Sequence, residues 1–129
     1  MRVLLDAHAF LWWATTRGSR LSEQARNLLA DASTDALVGA GALYEIAIKV
    51  QLGRLELPGA ADVYLPRLLR RFAFGVLPIA AEHALRAGTL PVIHHDPWDR
   101  LLVAQAQIEG LPIITADPAI GQYDVETIW

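Results

Sequence analysis

The stretch that most limits the fold is Val3-Leu4-Leu5, an unbroken apolar run that meets Asp6 and is followed by a helix-like apolar segment. A run that short and that apolar fits a strand buried on both faces, as in a parallel sheet. In open α/β sheets, groups that bind ligands stand just beyond the carboxyl ends of the strands. Asp6 falls at that edge.

The rest of the chain repeats the pattern. Short strands are predicted at residues 36–38, 74–79, 112–115 and 125–129, and helices at 8–14, 23–32, 42–52, 61–72, 80–87 and 98–109. Ser22 suits an N-cap, Gly53 and Gly110 suit helix C-termini, and Pro97 suits a first helical position. Pro66 limits where the 61–72 helix starts, while Gly88 and Pro91 stop the 80–87 helix. Strands alternating with helices specify an α/β fold, a small parallel sheet of four to five strands flanked by helices, in one domain spanning 1–129.

Composition excludes several classes. With no cysteine there are neither disulfides nor thiolate metal sites. No basic segment leads into a long apolar one, and no span of about twenty apolar residues occurs, so a cytoplasmic protein without a membrane segment is expected. The apolar share, 53%, exceeds the usual range of about 45–50% and points to an extra buried surface; the adjacent Trp12 and Trp13 agree. The formal charge of −3 does not exclude a nucleic-acid partner. If four of the fourteen acids bind metal, ten remain against eleven bases, ten of which are arginine.

Four acids stand where chemistry would need them. Asp6 and Asp117 each follow a predicted strand, where a helix cap or turn explains an aspartate equally well. Asp99 lies in the first turn of a helix, favourable to the helix dipole in any case, and Asp96 is the cap of that helix. Glu45 sits in a helix apolar on nearly every side, where a carboxylate must be paired or bound to a cation. The alternative is an exposed pair with Lys49 at i+4. Together the four would converge on one edge of the sheet. Carboxylates gathered that closely raise one another's pKa unless something positive lies between them. Carboxylate and water oxygens suit Mg2+ or Mn2+, and paired histidines at helical spacing are absent.

The chain carries, in order, Leu4-Leu5-Asp6-Ala7-His8-Ala9-Phe10-Leu11-Trp12-Trp13, Tyr44-Glu45-Ile46-Ala47-Ile48-Lys49, Leu52-Gly53-Arg54-Leu55, His95-Asp96-Pro97-Trp98-Asp99-Arg100-Leu101-Leu102, Ile114-Thr115-Ala116-Asp117 and the terminal Ile128-Trp129. On these motifs it resembles the PIN-domain ribonucleases of the VapC toxin type. The resemblance implies a metal site of Asp6, Glu45, Asp99 and Asp117; within it, Asp6 and Asp99 are expected to be the most direct ligands, with Glu45 and Asp117 binding through water. It also implies Mg2+- or Mn2+-dependent cleavage of RNA, a cognate antitoxin and a homodimer. Ala7 stands where the family often has Thr or Ser, and Gly39 and Gly41 where it often has serine. Substrate contacts, not the four acids, are what those departures touch.

Beyond the acids, Arg67, Arg70 and Arg71 form a helical stripe that would contact RNA phosphates or simply face solvent. Arg100 would orient a carboxylate or contact phosphate. His8 and His95 lie near the acids, and neither is expected to act as general acid. Trp12 and Trp13 fit an antitoxin groove, or ordinary core. A phosphatase of the haloacid-dehalogenase type would need an aspartate where His8 stands. A catalytically inactive PIN-like module that binds antitoxin or RNA remains, and chelator-sensitive RNA cleavage separates it from the enzyme.

Overall fold

In the computed structural model, which describes residues 1–129, the first apolar run is strand β1 (Arg2–Leu5), and its side chains divide between two cores. Val3 and Leu5 point to one face of a sheet and Leu4 to the other, the period-two alternation of a strand covered on both sides. The same division holds in β2 (Asp35–Gly39), where Ala36 and Val38 oppose Leu37, and in β4 (Ile113–Ile114). With β3 (Gly75–Leu77) and β5 (Thr127–Ile128) these make a five-stranded, all-parallel sheet in the order β3-β2-β1-β4-β5.

Six helices cover it. On the face of Val3 and Leu5 lie α1 (Ala7–Thr16), α2 (Glu23–Ala30), α3 (Ala40–Gln51) and α4 (Ala61–Arg71), through Phe10, Ala25, Ile46, Leu65 and Leu68. On the other lie α5 (Ala81–Thr89) and α6 (Pro97–Glu109), through Ala87, Leu102, Val103 and Ala106. This is the α/β architecture expected from the sequence.

Several limits differ from that reading. The first helix runs from Ala7 to Thr16 because Asp6 itself caps it. Pro66 does not set the start of α4, which begins at Ala61 and carries the proline inside. The carbonyl that loses its partner to Pro66 is that of exposed Asp62, open to water. Gly88 is passed through by α5, which ends at Thr89, two residues before Pro91. The third, fourth and fifth strands are shorter than predicted, each held by two or three register pairs.

Candidate metal centre

The parallel register places the first carboxylate. Leu5 lies opposite both Val38 and Ile114, so Asp6, Gly39 and Thr115 stand level at the carboxyl edge of the sheet. There the strand order departs from β1 in two directions, toward β2 and toward β4, and opens a crevice. Asp6 is buried, and both of its oxygens are engaged: Oδ1 accepts from the Ala9 amide at 2.7 Å, capping α1, and Oδ2 accepts from the Thr115 hydroxyl. Burial pushes its pKa up and Glu45 adds to the rise, against the two hydrogen bonds and His8.

Strand β2 runs straight into α3, and Glu45, in the second turn, reaches the same edge. Its side chain is 10% exposed, yet Oε2 accepts from Lys49 Nζ at 2.8 Å. The i,i+4 pair weighed for a solvent-facing glutamate therefore exists around a buried one.

At α6 the capping role of Asp96 is present, its Oδ1 accepting from the amides of Trp98 at 2.9 Å and Asp99 at 3.3 Å. Asp96 is also more than a cap. One ligand oxygen each of Glu45, Asp96 and Asp99 lie within 4.8 Å of one another, as do ligand atoms of His94, Asp99 and Asp117. Asp99 belongs to both trios; Asp6 belongs to neither and adjoins Glu45. Burial, then Asp96, pushes the Asp99 pKa up to about 7; Glu45 and Asp117 add to it, and His94 opposes it. Asp117 follows β4 and turns the chain, Oδ1 accepting from the Ala119 amide at 2.9 Å.

His94 was not singled out by the sequence, which drew attention to His8 and His95. Its Nε2 lies 2.9 Å from Asp99 Oδ2 and 3.7 Å from Asp117 Oδ2. Its backbone is pinned: the amide donates to the Tyr123 hydroxyl at 2.8 Å, and Arg100 Nη1 donates to its carbonyl at 3.4 Å. Arg100 also donates to the carbonyls of Ala87, Leu90 and Pro91 at 2.8–3.0 Å. Its guanidinium therefore clamps the loop before α6, rather than orienting a carboxylate directly or facing a phosphate. Arg67, Arg70 and Arg71 are exposed on α4, with Arg71 5.4 Å over the Phe72 ring, and none is paired with an acid.

The carboxylate oxygens that meet here are hard ligands of the kind that hold Mg2+ or Mn2+, with the His94 imidazole beside Asp99, and a cation would relieve the penalty on ionising Asp99. A second cluster, Glu82, His83 and Glu109, is different. His83 Nδ1 accepts the Ala80 amide at 2.9 Å, so its proton sits on Nε2, which faces Glu109 at 3.0 Å. A nitrogen carrying that proton offers no lone pair to a metal. The cluster ties α5 to α6.

A family model described as PIN domain matches residues 3–126 of the chain. Among solved structures, the chain is similar to one in VapBC2 from Rickettsia felis bound to a DNA fragment from their promoter. The TM-score is 0.71 at 14% identity, over 99% of this chain and 98% of that one. It is also similar to a chain of FitAB bound to an IR36 DNA fragment, with a TM-score of 0.65 at 19% identity, over 99% and 94%. A toxin–antitoxin complex from Klebsiella pneumoniae gives 0.61 at 12%, over 98% and 96%. At these identities the likeness is one of fold. No curated protein matches the sequence significantly.

Proposed function

The chain belongs to the PIN domain family, and from that membership we propose that it is a divalent-metal-dependent endoribonuclease, the toxin of a toxin–antitoxin pair. The observation that carries this reading is the meeting of carboxylates from three separate stretches (Glu45, Asp96 with Asp99, and Asp117), with Asp99 shared between two trios of ligand atoms and Asp6 close enough to Glu45 to feel its charge. Asp6, Glu45, Asp99 and Asp117 are the proposed metal ligands, with Asp96 at hand beside Asp99. Held by these carboxylates, Mg2+ or Mn2+ would supply an activated water and neutralise charge building on the scissile phosphate. Around it the chain's own groups fix geometry. Thr115 holds Asp6, Lys49 holds Glu45, and His94 holds Asp99 at 2.9 Å. Water adds to phosphorus as the bond to the 3′ oxygen breaks, leaving a 5′-phosphate and a 3′-hydroxyl.

An antitoxin partner is supported by two things. The similar solved structures include toxin–antitoxin complexes. A groove of about 1080 Å³ runs between α1, the 55–58 loop and α4, lined by Trp12, Tyr64 and Phe72 together with Arg17, Arg20 and Arg71. That mixture suits an amphipathic segment with acidic flanks. A homodimer fits a different patch, Tyr44 with its ring centroid 4.8 Å from that of Trp98 and tilted to it, beside exposed Ile79. No helix is long and apolar enough to cross a membrane, and a cytoplasmic site of action is part of the proposal.

The test is incubation of the purified protein with cellular RNA and Mn2+. Cleavage that chelator stops and Asp99→Asn abolishes is expected. Intact RNA from folded, antitoxin-binding wild type would instead favour the inactive interaction module. That alternative draws on one observation: Asp6, Glu45 and Asp99 already have partners within the chain.

A further inference from the structure

The acidic crevice has a basic neighbour. Beside Glu45, a cleft of about 200 Å³ is lined by Ala7, His8, Lys49 and Arg54, with Leu11, Ile46 and Leu55 completing its walls. It shares Ala7 and Glu45 with the space around Asp99, and His8, Leu11 and Leu55 with the wide groove over α1. The cleft therefore lies between the two. It is smaller than the roughly 300–1,000 Å³ of a drug-sized site, a scale that suits a phosphate with its sugar.

Local structure explains why Arg54 faces it. Two residues beyond the end of helix α3, Gly53 takes φ +73°, and the Arg54 amide donates to the Lys49 carbonyl at 2.8 Å while the Gly53 amide donates to the Val50 carbonyl at 3.1 Å. This left-handed helix end turns the chain back over its last turn and sets Arg54 beside Lys49. Arg100 spends its guanidinium on backbone carbonyls, whereas the Arg54 guanidinium makes no hydrogen bond or ion pair with the protein. An arginine without a partner, next to a half-exposed lysine and a histidine, on the wall of a cleft that opens onto the carboxylates, offers planar donors to an anion.

We infer that this cleft binds a phosphodiester group of the RNA strand adjacent to the one held at the carboxylates, with Arg54 as the principal contact and Lys49 beside it. The inference rests on the nuclease reading and names the subsite that positions the substrate. Glu45 then marks the boundary between the scissile phosphate and its neighbour, and the strand passes from the acidic crevice toward His8.

The experiment measures binding of a fluorescent 12-nucleotide single-stranded RNA in chelator, where no cleavage competes, over a range of salt. Arg54→Gln is expected to weaken binding several-fold at low salt and to flatten the plot of log affinity against log salt by about 0.7, the value for one phosphate contact on a single strand. Arg54→Lys should restore most of the slope. Thermal stability and Mn2+ binding should stay at wild-type values, since Arg54 is exposed. Affinity and slope unchanged in Arg54→Gln would overturn the inference. Mn2+-dependent cleavage by wild type, run in parallel, keeps the two claims apart. Cleavage without an Arg54 effect sinks the subsite alone, and an Arg54 effect without cleavage sinks the nuclease alone.

Discussion

Asp99 is the side chain on which the most opposing influences meet. Its pKa, about 7 in the folded chain against 3.8 ordinarily, means that the native state keeps a proton the unfolded chain has released between those values. The associated stability is present in full below the lower value and is lost as pH climbs to about 7. Asp6, also raised, acts in the same direction. Asp99→Asn should therefore melt above wild type in chelator at pH 8, by roughly 3–6 °C, and the gap should close toward pH 4. Thermal denaturation across pH checks both the sign and the window. A second residue-scale prediction concerns Gly39. A Cβ there would meet Gln105 Oε1 at 2.8 Å, and the Gln105 amide is tied to the carbonyls of Leu77 at 3.3 Å and Pro78 at 3.1 Å. Gly39→Ser should cost about 1–3 kcal/mol in urea unfolding, and less in a Gln105→Ala background, because the clash partner is then gone.

The helices show which parts of the fold were legible and which were not. α3 and α4 end in the same hydrogen-bonded turn, with the amides of Arg54 and Phe74, three residues past the last helical residue, reaching back to Lys49 and Leu69. In α3 the left-handed position is Gly53, and the sequence marks it; in α4 it is Ala73, at φ +55°, and nothing marks it. Ala73→Gly should accordingly stabilise the protein by about 1 kcal/mol in the same assay, since alanine pays for a left-handed conformation that glycine adopts freely. The four acids were legible for a similar reason: Asp6 and Asp117 follow strands, Glu45 sits in an otherwise apolar helix and Asp99 in a helix first turn, positions set by local pattern. His94 and the role of Arg100 were not. Their orientation depends on Tyr123, a contact 29 residues from His94 in sequence, and loop residues carry no periodicity to tell His94 from His95. Asp96 was legible only as a cap because its proximity to Glu45 is tertiary.

At the scale of the molecule, the sheet order puts β1 at the centre, so the one edge where β1, β2 and β4 all end is also where the carboxylates meet. Tyr44, Trp98 and Ile79 form an apolar patch beside that edge; a Cβ on Gly41 would touch Ile79 at 3.6 Å and Trp98 at 3.7 Å. If two copies pair there, Tyr44→Glu should convert a dimer to monomer in sedimentation without loss of helix signal, because Tyr44 is exposed in the single chain. The central claim, however, is that these side chains hold a divalent cation, and calorimetric titration of Mn2+ at pH 8 tests it without reference to any substrate. Wild type should give a saturable isotherm that Asp99→Asn loses or weakens by at least tenfold, a difference of about 1.4 kcal/mol. Indistinguishable isotherms, or no binding by the folded wild-type protein, would contradict it.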